Sequence, residues 1–310
     1  MGISINNVNE NDSNIAPAGI QTGSTPANGT TMASSYTPST GGLTAEEQSD
    51  PNKIIVTIAD QDTPIVVLFG PPSCGKTMTL VRLTRFLQSE GYTVAPVRSF
   101  RPSSDLHYTR MCDEFDMLIN SNDAANSTSL ISFMLVEVLK NGRPVCMLLE
   151  APGEHYFDPT HPNAQFPTYV YSIISCKNRK VWGVFVEPEW THSCPRANYV
   201  TKINLLKQSM KATDKVLFVY NKIDKTTLVH GAGRVHTGEA IRQVANLYPN
   251  IFVPFLNQNP ITKFFKQYNC EFVPFQTGFY TETLNGFTYI EGPNEYPRML
   301  WQQIQARLRG

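Results

Sequence analysis

No apolar run in this chain of 310 residues is long enough to span a bilayer, which argues against a membrane-spanning helix. A basic region followed by an apolar stretch is missing from the N-terminus, so no secretory signal is expected. Met1-Gly2 invites N-terminal lipid attachment, but Asn6 stands where Ser or Thr is required. Lysine and arginine are absent from residues 1–52, which hold five acids: Glu10, Asp12, Glu46, Glu47 and Asp50. The chain is formally neutral, so the remainder carries +5, too mild a balance for the dense basic face of a nucleic-acid binder. No nucleic-acid partner is expected. Paired cysteine spacing is also lacking. Cys74, Cys112, Cys146, Cys176, Cys194 and Cys270 are scattered, which excludes a disulfide framework and implies free thiols in a reducing, cytoplasmic compartment.

What is present divides at about residue 52. Residues 1–52 are rich in Ser, Thr, Asn, Gly, Ala and Pro, with one aromatic residue, Tyr36. Such a segment cannot bury enough apolar surface to offset its ordering entropy, and a disordered tail is expected. From residue 53 to 310 buried-strand patterns alternate with helical ones, without an obvious linker. Ile54–Ala59 reads as a strand, and Pro64–Phe69 as a second. The helix that follows places Leu80, Leu83, Phe86 and Leu87 on one face and stops at Gly91. Residues 92–127 read as an insertion: Thr93–Val97 extended, then a helix capped by Ser104 and carrying Leu106, Met111, Phe115, Leu118 and Ile119.

Asn141-Gly142 between Ile131–Leu139 and Pro144–Leu149 is a strong two-residue hairpin signal. Val181–Val186 and Val216–Tyr220 are near-continuous apolar runs, as expected of strands covered on both faces, with a helix carrying Val200, Ile203, Leu206 and Met210 between them. Glu271–Phe275 gives a last strand before a helix with Leu300, Ile304 and Leu308 in line. The pattern predicts a three-layer α/β fold: a mostly parallel sheet, one antiparallel hairpin strand and helices on both faces.

The chemistry concentrates behind the second strand. Gly70-Pro71-Pro72-Ser73-Cys74-Gly75-Lys76-Thr77 fits G-x-x-x-x-G-K-[ST] in its strand–loop–helix context, the P-loop or Walker A pattern. Gly70 and Gly75 let the backbone wrap an anion with its N–H groups inward, and the following helix presents its positive end. Lys76 is expected on the β- and γ-phosphates of a nucleoside triphosphate, and Thr77 on magnesium. The wording Gly-Pro-Pro is common in ring-forming ATPases and leans toward ATP.

Later residues lean the other way. Asn221-Lys222-Ile223-Asp224 ends the Val216–Tyr220 strand, at the sheet edge where a base would lie. One carboxylate, Asp224, can accept from both N1–H and N2–H₂ of guanine, a pair of donors that adenine lacks. Buried acceptors left unpaired by the wrong base discriminate strongly. Lys222 would lie along the base and Asn221 would brace the loop.

These residues resemble the N-K-x-D motif of P-loop GTPases of the TRAFAC type, the translation-factor and Ras-like G domains. Glu150-Ala151-Pro152-Gly153 resembles their D-x-x-G switch motif, with Glu150 in place of the usual Asp and Glu154 where Ras-like members keep a water-orienting Gln. The resemblance covers residues 64 to about 310 in motif order and implies a G domain with an enlarged switch region. It further implies Gly153 N–H on the γ-phosphate, Glu150 on magnesium, and Thr128, 22 positions before Glu150, as a switch threonine sensing metal and phosphate. Gln276-Thr277-Gly278 falls where G domains back the base. Glu154 and His155 compete for the catalytic role.

The expected function is a magnesium-dependent GTPase: a GTP- and GDP-binding molecular switch that hydrolyses GTP slowly, helped by a protein effector or activating partner. A homodimer is left open. Two rivals stand beside it: an ATPase or nucleotide kinase, and a pseudo-GTPase that holds nucleotide as a structural ligand. Zinc on Cys176, His192 and Cys194 is not expected, for want of short paired spacing. Arg98, Arg101 and Arg110 read as solvated or phosphate-steering side chains rather than a built-in arginine finger.

Overall fold

The computed structural model describes residues 43–120, 133–158, 161–188, 196–265, 267–283 and 286–309. The chain enters as α1 (Ala45–Ser49). Thr44 and Glu47 close a reciprocal capping box that satisfies the orphan N–H groups of this short helix. Leu43 and Glu47 are buried, and the Glu47 carboxylate pairs with Arg101. Residues 43–52, expected within a disordered tail, thus belong to a helix and a 3₁₀ turn that runs on to Lys53, anchored by a buried ion pair. Ile54–Ala59 is extended but joins no sheet, contrary to the strand expected there. Both edges of the strand that follows are taken by other partners, and this segment instead bonds to the insertion: Thr57 N–H to Phe100 O at 2.8 Å, Arg101 Nη1 to Ile55 O at 2.7 Å.

Next come β1 (Ile65–Phe69), α2 (Lys76–Ser89), β2 (Thr93–Pro96) and α3 (Leu106–Ile119). The cap of α3 is Asp105, one residue beyond the expected Ser104; its carboxylate accepts from Tyr108 N–H at 2.9 Å. β3 (Met134–Lys140) and β4 (Arg143–Glu150) form the expected hairpin. Asn141 and Gly142 both take positive φ, 52° and 72°, as a tight turn matched to strand twist requires. α4 (Gly153–Tyr156), α5 (Thr168–Ser175), β5 (Lys180–Val186), α6 (Arg196–Ser209) and β6 (Lys215–Tyr220) follow. The small ribbon β7 (Val229–Gly231) and β8 (Arg234–Val235) leads to α7 (Thr237–Leu247) and α8 (Pro260–Phe265). β9 (Glu271–Pro274), the hairpin β10 (Gly278–Thr283) and β11 (Gly286–Glu291), and α9 (Glu295–Arg309) complete the described chain.

Seven strands form one sheet in the order β2-β3-β4-β1-β5-β6-β9. Every pairing from β4 to β9 is parallel, and β3 is antiparallel to both of its neighbours. One strand therefore runs against the rest, as the sequence predicts. Thr93–Pro96 contributes β2, the edge strand beside β3.

Helices cover both faces. On one, Phe69 meets Tyr156, Phe166, Trp182 and Tyr199 with ring centroids 4.9–6.2 Å apart, clamping α4 and α6 to the sheet. On the other, α2 packs between α3 and α9. Arg82 of α2 reaches across to Gly292 O at 2.8 Å and pairs with Glu291 at 2.8 Å, so the helix behind the glycine loop is tied to the C-terminal hairpin. No described helix is long and apolar enough to cross a membrane.

Candidate functional site

β1 is buried along its whole length and flanked by β4 and β5, so the chain leaving it at Gly70 emerges at the carboxyl edge of a parallel sheet. The loop 70–77 wraps tightly. Ser73 and Gly75 adopt left-handed φ of 61° and 88°. Pro71 and Pro72 carry no N–H, so the donors available to an anion come from Ser73 onward. A side chain at Gly70 would place Cβ 2.7 Å from Cys74 Sγ and 2.8 Å from Phe185 Cβ; at Gly75, 2.2 Å from Asn221 Nδ2. Glycine is required at both. Burial pushes the Cys74 thiol up to about 11, so it stays protonated and serves as packing. Lys76 is 5% exposed, with Nζ donating to Pro71 O at 3.2 Å.

Glu150 ends β4 in register with Leu68 of β1. Thr77 Oγ1 donates to its Oε1 at 2.9 Å, while Oε2 is buried and has no hydrogen-bond partner among the described residues. Burial raises the carboxyl pKa to about 8, against the opposing pull of Lys76 and the Thr77 hydroxyl. Gly153 lies on the loop backbone: a Cβ there would sit 2.2 Å from Pro72 N and 2.4 Å from Pro71 C. Beside it Glu154 is exposed. His155 is buried, its Nδ1 2.8 Å from the Tyr169 hydroxyl. Burial, then the Lys76 charge, lowers its pKa to about 4, leaving the ring neutral at neutral pH.

The second loop cluster stands two strands away. Asn221 follows β6, and its Nδ2 donates to Cys74 O at 2.9 Å, joining this loop to the glycine loop. Lys222 is left-handed (φ 55°, ψ 36°) and its ammonium pairs with Glu187. Ile223 N–H donates to Phe275 O at 3.2 Å and Phe275 N–H to Tyr220 O at 2.8 Å, which lays Gln276-Thr277 beside Asn221–Asp224. Asp224 is half-buried, and its charge reaches the Tyr296 hydroxyl. Asn221 Oδ1 and Gln276 Nε2 are buried polar atoms with no hydrogen-bond partner among the described residues. Thr277 O accepts from Gly292 N–H at 3.1 Å and from the Tyr289 hydroxyl at 2.8 Å.

The structure thus gathers residues 70–77, Glu150, Gly153, Asn221–Asp224 and Gln276-Thr277 at one sheet edge. Thr128 lies outside the described residues, as do His192 and Cys194. His155 is near this edge but tied to Tyr169. Arg98 is engaged by Asp113 and Asp116, and Arg101 by Glu47 and Asp105. Sequence reasoning missed Glu187 and Tyr248. The available signal was an acidic residue at the carboxyl end of the buried run Val181–Val186.

No protein-family model matches the chain, and no curated protein matches it in sequence. Among solved structures it is similar to the GTPase-like domain of Ski7 from S. cerevisiae bound to GTP. That match has 14% identity and a TM-score of 0.41, covering 81% of this chain and 51% of that one. It is also similar to a chain provisionally named nucleolar GTP-binding protein 1 of Plasmodium falciparum (11% identity, TM-score 0.39, 82% and 92% covered). A third is Roco2 of Methanosarcina barkeri bound to GDP (11%, 0.35, 82% and 51%). The chain spans about half of the Ski7 and Roco2 chains. At these scores the matches add no argument. The resemblance to P-loop GTPases rests on the strand order and on where the motifs fall along it.

Proposed function

We propose that this chain binds GTP and GDP with magnesium at the carboxyl edge of its sheet, hydrolyses GTP slowly and works as a switch. The observation that carries this reading is the 2.9 Å bond from Asn221 Nδ2 to Cys74 O. It couples a loop worded for phosphate to a loop worded for guanine. Gly70–Thr77 would cradle the phosphates, Lys76 would leave Pro71 O for the β- and γ-oxygens, and Gly153 N–H would meet the γ-phosphate. Asp224 would accept from guanine, with Lys222 along the base and Gln276-Thr277 behind it.

Magnesium fits the residues present. Glu150 Oε2 is a buried carboxylate oxygen without a partner, beside the Thr77 hydroxyl. Thr77 and Glu150 would hold the ion, with Thr128 as a third candidate; bound there, it would neutralise developing phosphate charge.

Slow turnover follows from the two catalytic candidates. Glu154 can accept a proton but has no N–H to offer the γ-phosphate. His155, with a pKa near 4 and its Nδ1 bonded to Tyr169, is a weak base. An activating protein partner would supply what these lack. The proposed domain comprises residues 53–310, with 92–127 as an insertion. The test is competition against a fluorescent GDP analogue with magnesium, followed by single-turnover hydrolysis. GTP and GDP should displace it far better than ATP and ADP; equal competition by ATP would refute the guanine reading.

A further inference from the structure

Glu187 follows β5 directly, belongs to none of the motifs and is 6% exposed. Its carboxylate pairs with Lys222 Nζ. One hydroxyl holds its backbone at both polar groups: Glu187 N–H donates to Tyr248 Oη at 3.4 Å, and Tyr248 Oη donates to Glu187 O at 3.0 Å. The Tyr248 ring is fixed in turn by the Arg196 guanidinium, 5.6 Å from its centroid, and by Tyr199 at 6.4 Å. Asn221, next to Lys222, joins that lysine's loop to the glycine loop through Cys74 O at 2.9 Å.

We propose that Glu187 is a positioning residue of the base site: it pins the Lys222 head so that the lysine stem is laid out for a purine before nucleotide arrives. This rests on the guanine-nucleotide reading above. A lysine that lies along a base must surrender the freedom of its four-carbon stem, a cost otherwise charged to binding. The asymmetry of burial gives the pin its direction. The Glu187 side chain is 7% exposed and that of Lys222 34%, so the carboxylate loses more by separation and retains the ammonium. The loop is held to the end of β5 one residue earlier, where Asn221 N–H donates to Val186 O at 2.9 Å. Tyr248 extends the device to the end of α7, linking the geometry of the base loop to that helix.

The experiment is a double-mutant cycle read by release of fluorescent GDP and GTP analogues. Glu187→Gln keeps the shape and removes the charge. Release should quicken about three- to tenfold, the ordering of one long side chain, and equally for both nucleotides because the pin acts on the base. In a Lys222→Met background the same change should add nothing. Tyr248→Phe, which keeps the ring, should quicken release by a smaller factor and gives a readout if Glu187→Gln folds poorly. Unchanged release in Glu187→Gln and Tyr248→Phe, with tight GDP binding by the unmodified chain, would overturn this inference alone. Equal acceleration in both lysine backgrounds would also overturn it, making Glu187 a support of β5. Failure of the unmodified chain to retain guanine nucleotide would overturn the nucleotide reading, and this inference with it.

Discussion

At the phosphate end of the candidate site the shape is set by glycines packed too closely for a side chain, whereas at the base end it is set by side chains reaching between loops. Gly70, Gly75 and Gly153 each leave no room for a Cβ, with neighbours at 2.2–2.8 Å. The base end depends on Asn221 reaching Cys74 O, on Lys222 reaching Glu187, and on Tyr248 holding Glu187. The charge at the two ends is handled differently as well. Among the described residues the Glu150 carboxylate has no ion-pair partner, whereas that of Glu187 is ion-paired with Lys222. The glycine-shaped end has little room for substitution and holds a carboxylate oxygen placed for an ion. A side-chain-built end is pre-assembled and yields by degrees.

The sharpest way to break this contrast is Lys76→Ala. On the proposed reading it removes the one mobile cation from a loop that gathers phosphate charge. GTP affinity should fall at least about a hundredfold, the scale of losing more than one charge-assisted bond. Titration with a fluorescent GTP analogue measures it, and retention within a fewfold would place the phosphates elsewhere. Asp224→Asn tests the other end. Guanine should lose about a hundredfold while xanthine gains, because the C2 carbonyl of xanthine accepts where the guanine amine donates. Failure of xanthine nucleotides to improve would remove Asp224 from the base site. Gly153→Ala is smaller and more selective. Its Cβ must displace the Pro71–Pro72 backbone, at about 1–3 kcal/mol. GTP affinity should drop about tenfold and GDP affinity little, since the γ-phosphate alone meets this residue. Equal losses for the two nucleotides would contradict that placement.

The same contrast explains what was legible in the sequence. Features set by glycine and by unbroken apolar runs leave compositional traces: the glycine spacing of residues 70–77, the Asn141-Gly142 turn and the apolar runs of β1, β5 and β6 each marked an element. Features made by long-range side-chain reach leave none. Nothing local in Ala45–Ser49 announces that Glu47 will meet Arg101 54 positions away. Nothing in Glu291 announces Arg82 and Arg85. Ile54–Ala59 has good strand composition, but both edges of the neighbouring β1 are occupied by β4 and β5, and composition cannot see that. The paired β10–β11 hairpin after Gln276-Thr277 went unread although the sequence offers Asn285-Gly286, the same dipeptide as Asn141-Gly142, between runs that mix aromatic and polar residues.

The smallest effect to measure concerns the one unsatisfied carboxylate at the phosphate end, in protein stripped of nucleotide and magnesium. Glu150 has its pKa raised to about 8 from an ordinary 4.5, so between those values the folded chain holds a proton that the unfolded chain has released. Its contribution to stability is complete below 4.5 and is lost as pH rises through 8. His155 runs the other way. Its pKa is lowered to about 4 from 6.5, so its contribution is complete above 6.5 and is lost as pH falls through 4. From pH 4.5 to 6.5 the two oppose each other, and from 6.5 to 8 Glu150 acts alone. The melting temperature should therefore decline across that upper window, by about a few degrees. Glu150→Gln, which cannot ionise, should flatten the decline without touching the acid limb set by His155. Magnesium and GDP should flatten it too, because a metal on Oε2 holds the carboxylate charged at every pH in the window. A slope that persists unchanged in Glu150→Gln would assign the upper-window titration to another group. Glu150 would then be an ordinary buried acid, and the contrast between a waiting phosphate end and a pre-paired base end would lose its electrostatic half.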